Sequence, residues 1–336
     1  MPTTRLLALV ALLSLLASAC ISAFGDDRTV RIYTGRHYDL EQAFQQFADE
    51  TGIDVEFLNG GDAELRERIL AEEEDTLADV YMTVDAGNLH IAEEQGIFQP
   101  LRSDALEEAI PAELRDPDGH WFGLSLRART IVYSPERVDP SELSTYEALA
   151  DPRWQGRVCM RNSTNVYTQS LVASLIAHHG REEAHEIVAG WARNAEILNS
   201  DIQILETIAS GGCDVGITNH YYLARLMEDD PDYPVEVFWP NQGGADARGV
   251  HVNISGAGVT RWADDPDLAR QLIEWLATDG QNLFVDGNHE FPVNPAVEPE
   301  PLIAGFGEFE RDTLNAGEFG GLNAEAVRLM DEVGYP

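Results

Sequence analysis

Two long stretches of extended character divide this chain, and they constrain its fold more than any other feature. They cover 121–134 and 250–260, and strand-like and helix-like segments alternate on either side of the first. In 29–95 the order is strand, helix, strand, helix, strand, helix, which favours a parallel sheet with helices on its faces. The same pattern restarts after 134. We therefore predict an α/β fold of two lobes, each a mainly parallel sheet flanked by helices, joined by two crossing strands.

The length of the chain supports this division. About 310 residues remain after the N-terminal segment, which suits two lobes of about 150 residues each. We place the first part of lobe 1 at 28–126, lobe 2 at 127–250, and the return crossing with the rest of lobe 1 and the C-terminal helices at 251–336. In lobe 2 the apolar spacing predicts helices over 143–150, 168–178, 182–193 and 202–209, and strands over 157–160 and 213–218.

The N-terminus is typical of an export signal. Arg5 precedes an apolar run over 6–16, and three small residues then lead to Cys20. We predict a signal peptide over 1–19 and a lipid-anchored linker over 20–27, because a cysteine after small residues is typical of a lipoprotein signal that acylates it. The alternative is ordinary secretion with an incidental Cys20. In either case we expect an exported, periplasmic protein whose membrane contact, if it has one, is through lipid.

Charge restricts the partners. The formal net charge is −37, and all 22 basic residues are arginine. Nucleic acid and anionic membranes bind through clustered basic residues that release counterions, so we exclude both as partners. Acid excess without lysine is typical of a halophile, whose surface must stay hydrated in high salt.

Beyond Cys20 the chain has two cysteines, Cys159 and Cys213. An even pair in an exported protein favours a structural disulfide, and two buried free thiols are the alternative. Cys213 begins the strand-like run 213–218, so a bridge there would brace that strand.

Tyrosines follow predicted strands at several points. The run 213–218 leads into the adjacent Tyr221 and Tyr222, and Tyr167 lies in the turn between the predicted strand 157–160 and the helix that follows it. His37 and Tyr38 follow the first strand of lobe 1. Ligands of open α/β sheets bind at the carboxyl ends of the strands, so we expect these five residues to face one cleft between the lobes. The alternatives are amphipathic core filling by the rings, or exposure in turns.

Several phenols in one cleft indicate a hard, strongly acidic metal ion. A free phenol has a pKa of about 10, so tyrosine is a poor ligand unless a Lewis acid displaces its proton. Fe(III) does this, and three or four phenolates offset its charge. Thiolates and thioethers, which mark copper or zinc sites, are missing from the set.

Four motifs carry a family resemblance. RHYD at 36–39, NVYTQSLVASLIA at 165–177, NHYYLAR at 219–225 and NISGAGVT at 253–260 resemble the ferric-binding solute-binding proteins of bacterial ABC iron importers. The resemblance implies the type II periplasmic-binding-protein fold. It also implies that Arg127 donates to a phenolate oxygen and lowers its pKa, and that Fe(III) is the transported ligand. The implied metal ligands are His37, Tyr38, Tyr167, Tyr221 and Tyr222.

The resemblance also implies a monomer that delivers iron to an ABC permease and its ATPase. Five protein ligands leave little need for an obligatory synergistic anion. His220 departs from the expected pattern, and we expect it at the surface.

Two other functions are possible for such a chain. One is a solute-binding protein for a polyamine, thiamine or an oxyanion, which would use an aromatic box or helix N-termini. The other is an exported enzyme, but the sequence has no G-x-S-x-G or H-E-x-x-H motif and no nucleotide-binding glycine loop. We therefore predict a binding protein without catalytic residues.

Overall fold

The computed structural model describes residues 28–36, 41–244 and 247–336. The predicted signal peptide, the linker and Cys20 lie outside these residues, and so do His37 and Tyr38. No helix in the described ranges is long and apolar enough to cross a membrane.

Nine strands and twelve helices make up the described residues. The strands are β1 Thr29–Thr34, β2 Asp54–Asn59, β3 Val80–Thr83, β4 Phe122–Tyr133, β5 Val158–Arg161, β6 Ala195–Leu198, β7 Val215–Asn219, β8 Glu236–Phe238 and β9 Val252–Val259. The helices are α1 Glu41–Thr51, α2 Asp62–Glu72, α3 Ala86–Glu94, α4 Asp104–Ala109, α5 Val166–Asn194, α6 Asp201–Ala209, α7 His220–Asp229, α8 Pro266–Ala277, α9 Gln281–Asp286, α10 Pro301–Ala304, α11 Ala316–Gly321 and α12 Asn323–Glu332.

The strands form one sheet in the order β2-β1-β3-β9-β4-β7-β5-β6, with β8 also paired to β4. β1 is parallel to β2 and β3, and β5 is parallel to β6 and β7. We call β1–β3 with their helices the first lobe, and β5–β8 with α5, α6 and α7 the second lobe. The antiparallel strands β4 and β9 lie between them, which confirms the predicted α/β arrangement with two crossings.

β4 is the strand that belongs to both lobes. Its first part pairs with β9 from Phe122 to Ala128, and its second part pairs with β7 from Arg129 to Tyr133. All twelve of its residues are buried. Residues i and i+2 of a strand lie on one face, so Arg127 and Arg129 point to the same side of β4. Arg127 lies in the part paired with β9, and Arg129 lies in the part paired with β7.

Some local predictions were wrong. The segment 143–150 forms a 3-10 turn, Glu147–Ala150, instead of an α-helix. The helices predicted over 168–178 and 182–193 are two parts of α5, which kinks at Gly180, where φ is +76°. The short strands β6 and β8 and the short helices α4, α10 and α11 were not predicted.

Candidate metal centre

Two helix N-termini in the second lobe present tyrosines at the same edge of the sheet. β7 ends at Asn219, and α7 begins there with Tyr221 and Tyr222 in its first turn. The neighbouring strand β5 leads into α5, where the side chain of Asn165 accepts a hydrogen bond from the Tyr167 amide at 3.0 Å. Both helices follow parallel strands, so their first turns meet beyond the strands' carboxyl ends, as predicted.

The three phenols are in contact. The Tyr221 hydroxyl donates to the Tyr167 oxygen at 3.4 Å, and the rings of Tyr221 and Tyr222 lie 4.3 Å apart between centroids. Tyr221 is fully buried and Tyr167 is 8% exposed, whereas Tyr222 is half-buried. The structure therefore brings together the three second-lobe tyrosines that the sequence singled out.

Burial and charge act in opposite directions on these phenols. Burial raises the pKa of Tyr167, because a buried phenolate loses its hydration, and the nearby Arg127 opposes that increase. A metal ion that enters this group must therefore displace protons that burial holds in place, and the arginine lowers the free energy of doing so.

Arg127 is buried in the middle of β4, beside the tyrosines. Its guanidinium carbon lies 5.2 Å from the centroid of the Tyr167 ring. Nη2 donates to the carbonyl oxygens of Val84 and Ile254, both outside the second lobe. Burial alone would lower the pKa of Arg127, but the attraction of Tyr167 and Glu290 raises it, so this residue is a permanent positive charge at the site.

A second charge network is connected to Tyr221 through Asn219, and the sequence analysis missed it. Asp201, the first residue of α6, forms ion pairs with Arg129 and Arg161. Its Oδ1 also accepts the Asn219 amide at 3.2 Å, and the Asn219 side chain donates to the Tyr221 hydroxyl at 3.3 Å. The signal in the sequence was Arg129 itself, two residues after Arg127 on the same face of β4.

The first-lobe side of the site is described only up to Arg36. Arg36 is buried, and it donates to Glu290 at 2.5 Å, to Ser125 at 2.9 Å and to the Phe284 carbonyl at 2.8 Å. These contacts hold the backbone just after β1 against the crossing strand and the C-terminal segment. His37 and Tyr38 follow directly, outside the described residues, and their role as ligands stays a prediction.

The expectation that His220 lies at the surface was wrong. Its ring is fully buried, 4.5 Å from that of Phe291. Nδ1 accepts the Ala128 amide at 3.2 Å and Nε2 donates to the His289 carbonyl at 2.8 Å, which fits the neutral tautomer. Burial lowers the pKa of His220 to about 4.

A disulfide joins the two strands beneath the tyrosines. It links Cys159 of β5 to Cys213, which lies just before β7, with 5.9 Å between the Cα atoms. Both residues are buried. The bridge therefore braces the base of the strand that presents Tyr221 and Tyr222.

The two lobes also touch through a polar contact near β9. Asp85, the N-cap of α3, accepts hydrogen bonds from Ser170 of α5 at 2.8 Å and from Asn253 of β9 at 2.7 Å. Asn253 in turn donates to Ser170 at 2.8 Å. This buried triangle joins the first lobe, the second lobe and a crossing strand, and the sequence analysis did not find it.

The chain belongs to the family of bacterial extracellular solute-binding proteins, whose model matches residues 75–304. Among curated relatives, Iron uptake protein A2 of Synechocystis sp. (strain ATCC 27184 / PCC 6803 / Kazusa) is 43% identical over 324 residues, covering 93% of this chain and 92% of that protein. Iron uptake protein A1 of the same organism is 42% identical over 321 residues, covering 93% of this chain and 88% of that protein.

Solved structures agree with this assignment. The Trichodesmium protein IdiA (FutA), in complex with iron and citrate ligands, superimposes with a TM-score of 0.87 at 43% identity, covering 92% of this chain and 100% of that one. The ferric binding protein from Campylobacter jejuni gives a TM-score of 0.83 at 32% identity, covering 91% of this chain and 100% of that one. These similarities confirm the predicted type II fold and the family resemblance, and the relatives are named as uptake and binding proteins.

Proposed function

We propose that this protein captures Fe(III) between its lobes, with Tyr167, Tyr221 and Tyr222 as phenolate ligands from one side and His37 and Tyr38 from the other. The observation that carries the proposal is the contact of three phenols at one sheet edge beside the buried cation Arg127. The relatives named above as iron uptake and ferric binding proteins support the same cargo.

The charges in the site suit a trivalent ion. Three or four phenolates offset the charge of Fe(III), and the arginine stabilises the phenolate form before the metal arrives. We propose that the five protein ligands suffice without an obligatory anion. The Trichodesmium structure holds citrate with its iron, so this point needs its own test: iron loading in buffer without citrate or carbonate.

We further propose that the protein works as an exported monomer. In this proposal 1–19 is a cleaved signal, Cys20 carries a lipid anchor, and the lobes hinge within β4, where its partner strand changes between Ala128 and Arg129, and near 250/251. The closed, iron-loaded form would then dock on an ABC permease, whose ATPase drives import, and the lobes would reopen to release iron.

A ferric titration tests the metal site. Metal-stripped protein is titrated with ferric nitrilotriacetate while the visible spectrum is recorded, because phenolate ligands produce a charge-transfer band. We expect an orange-red band that saturates near one iron per protein and weakens or shifts in Tyr222→Phe. Tyr233→Phe is the matched control, since this half-buried tyrosine lies in the same lobe, beyond the C-terminal end of α7.

The result also separates the alternatives. No band in the wild type would refute the ferric site. Binding of a polyamine or thiamine that survives Tyr221→Phe with Tyr222→Phe would instead favour an aromatic box, because that kind of site needs the rings and not the hydroxyls.

A further inference from the structure

A second group of metal-ligating side chains lies in the first lobe, apart from the tyrosines. It consists of Glu93 from the last turn of α3 with Asp116 and His120 from the turn before β4. One ligand atom from each residue lies within 4.8 Å of those of the other two. The group lies at the wall of a cavity of about 990 Å³ that Glu93 and Asp116 line.

The separations fit a small divalent ion. Nδ1 of His120 lies 3.1 Å from Oδ2 of Asp116 and 3.7 Å from Oε1 of Glu93. Bonds of about 2.0–2.1 Å to a tetrahedral Zn²⁺ place neighbouring ligand atoms about 3.3–3.4 Å apart. The two observed distances bracket this value, so small side-chain movements are enough to seat the ion.

The two carboxylates of the group are already oriented by other contacts. The other oxygen of Glu93 accepts the indole N–H of buried Trp121 at 2.9 Å, which leaves Oε1 for the ion. Oδ2 of Asp116 accepts the amides of Asp118 and His120, both at 2.9 Å. Such contacts fix ligand geometry in metal sites and strengthen binding.

The charge balance also favours a cation. Burial raises the pKa of Glu93, and the charge of the nearby Asp116 adds to this. The Trp121 contact and His120 act in the opposite direction. Nδ1 of His120 shares a hydrogen bond with Asp116. A divalent ion that replaces the proton in this bond relieves the carboxylate repulsion and leaves Nε2 to carry the imidazole proton.

We propose that Glu93, Asp116 and His120 form a divalent transition-metal site, with Zn²⁺ as the best fit, that is separate from the ferric site. One imidazole and two carboxylates are donors that Zn²⁺ accepts, with solvent from the cavity as the fourth ligand. The bound ion would fix the turn from which β4 begins.

Calorimetric titration of the metal-stripped, full-length mature protein with Zn²⁺ tests this site. The wild type should bind one Zn²⁺ at this site, and His120→Ala and Glu93→Gln should weaken binding at least about 100-fold. Glu93→Gln can still accept the Trp121 hydrogen bond, so it controls for misfolding of the turn. His90→Ala is the matched control, because His90 lines the same cavity outside the group and its loss should leave the affinity unchanged.

Two further measurements separate this site from the ferric one. Tyr222→Phe should retain Zn²⁺ binding, and ¹H–¹⁵N spectra should show the Nδ1 signal of a single histidine shift on Zn²⁺ addition and disappear from that position in His120→Ala. Binding lost in Tyr222→Phe but kept in His120→Ala would overturn the proposal, as would equal loss in His90→Ala. Failure of the ferric titration would leave these outcomes unaffected.

Discussion

Replacing Arg127 by glutamine should shift the pH dependence of the proposed ferric binding, because it removes the buried charge beside the tyrosines. Arg127 is 1% exposed and its guanidinium carbon lies 5.2 Å from the Tyr167 ring centroid. If the ring centroid is taken as the position of the phenolate charge, a charge pair at that distance interacts by about 3 kcal/mol at an effective dielectric constant of about 20. A loss of about 3 kcal/mol corresponds to a change of about 100-fold in an equilibrium constant, because a factor of ten is about 1.4 kcal/mol.

The direction follows from proton competition. The positive charge stabilises the phenolate, so its removal raises the pKa of Tyr167 and makes the proton harder for iron to displace. At fixed pH the ferric affinity of Arg127→Gln should fall about 100-fold. If three or four phenol protons leave per iron, the pH of half-saturation should rise by about 0.5–0.7 unit.

The assay is a pH titration of the charge-transfer band at fixed free Fe(III). Arg127→Gln also leaves the carbonyls of Val84 and Ile254 without their donor, so a loss of stability alone is expected in any Arg127 variant. Arg127→Lys is the matched control, because it keeps the charge while losing the fork geometry. Equal pH shifts in the two variants, or none in either, would refute the electrostatic role.

Three further predictions concern stability. Reduction of the bridge, or Cys159→Ala with Cys213→Ala, should lower the free energy of unfolding by about 4 kcal/mol, because it opens a loop with a sequence separation of 54. Scanning calorimetry should show a Tm lower by about 6 °C, and a change under 1 °C would contradict this. Burial lowers the pKa of His251 to about 3, so the unfolded chain binds the extra proton below about pH 6.5 and the folded state is destabilised as pH falls from there towards 3. The free energy of unfolding in urea should therefore fall between pH 7.5 and pH 5 by about 2 kcal/mol less in His251→Gln than in the wild type. In His185→Gln, which changes a half-exposed histidine, it should fall as much as in the wild type. Asp201→Asn should cost about 3–5 kcal/mol by denaturant titration, because the buried Arg129 and the partly buried Arg161 lose their counterion, and a cost below 1 kcal/mol would show that solvent compensates Arg129.

The two-lobed architecture could be predicted because the order of strands and helices follows from local sequence patterns. The crossing strands β4 and β9 are long runs of extended character, and the meeting of Tyr167 with Tyr221 follows from the rule that parallel strands end at one edge. Contacts between distant segments have no such local signal. The ring of His220 is covered by Phe291, about seventy residues later, so its burial was missed.

The errors in secondary structure have the same origin. The four residues of β6 follow α5 directly and have no strand signal strong enough to separate them from it; they are extended because they pair with β5. In 143–150 the apolar spacing suggested a helix, but the tertiary packing of Tyr146 and Leu149, both buried, selects a single 3-10 turn. The partners of Arg127 and Arg129 likewise come from other parts of the chain.

The position of Arg127 at the boundary within β4 links movement to chemistry. Its side chain is tied to the carbonyls after β3 and within β9, while Tyr167 and Tyr221 belong to the second lobe. A rotation of the lobes between Arg127 and Arg129 would carry the phenols away from the cation that opposes the rise in their pKa. In the proposed ferric site, opening would then weaken the iron–phenolate bonds by itself, so the iron could be released at constant pH and without a reductant.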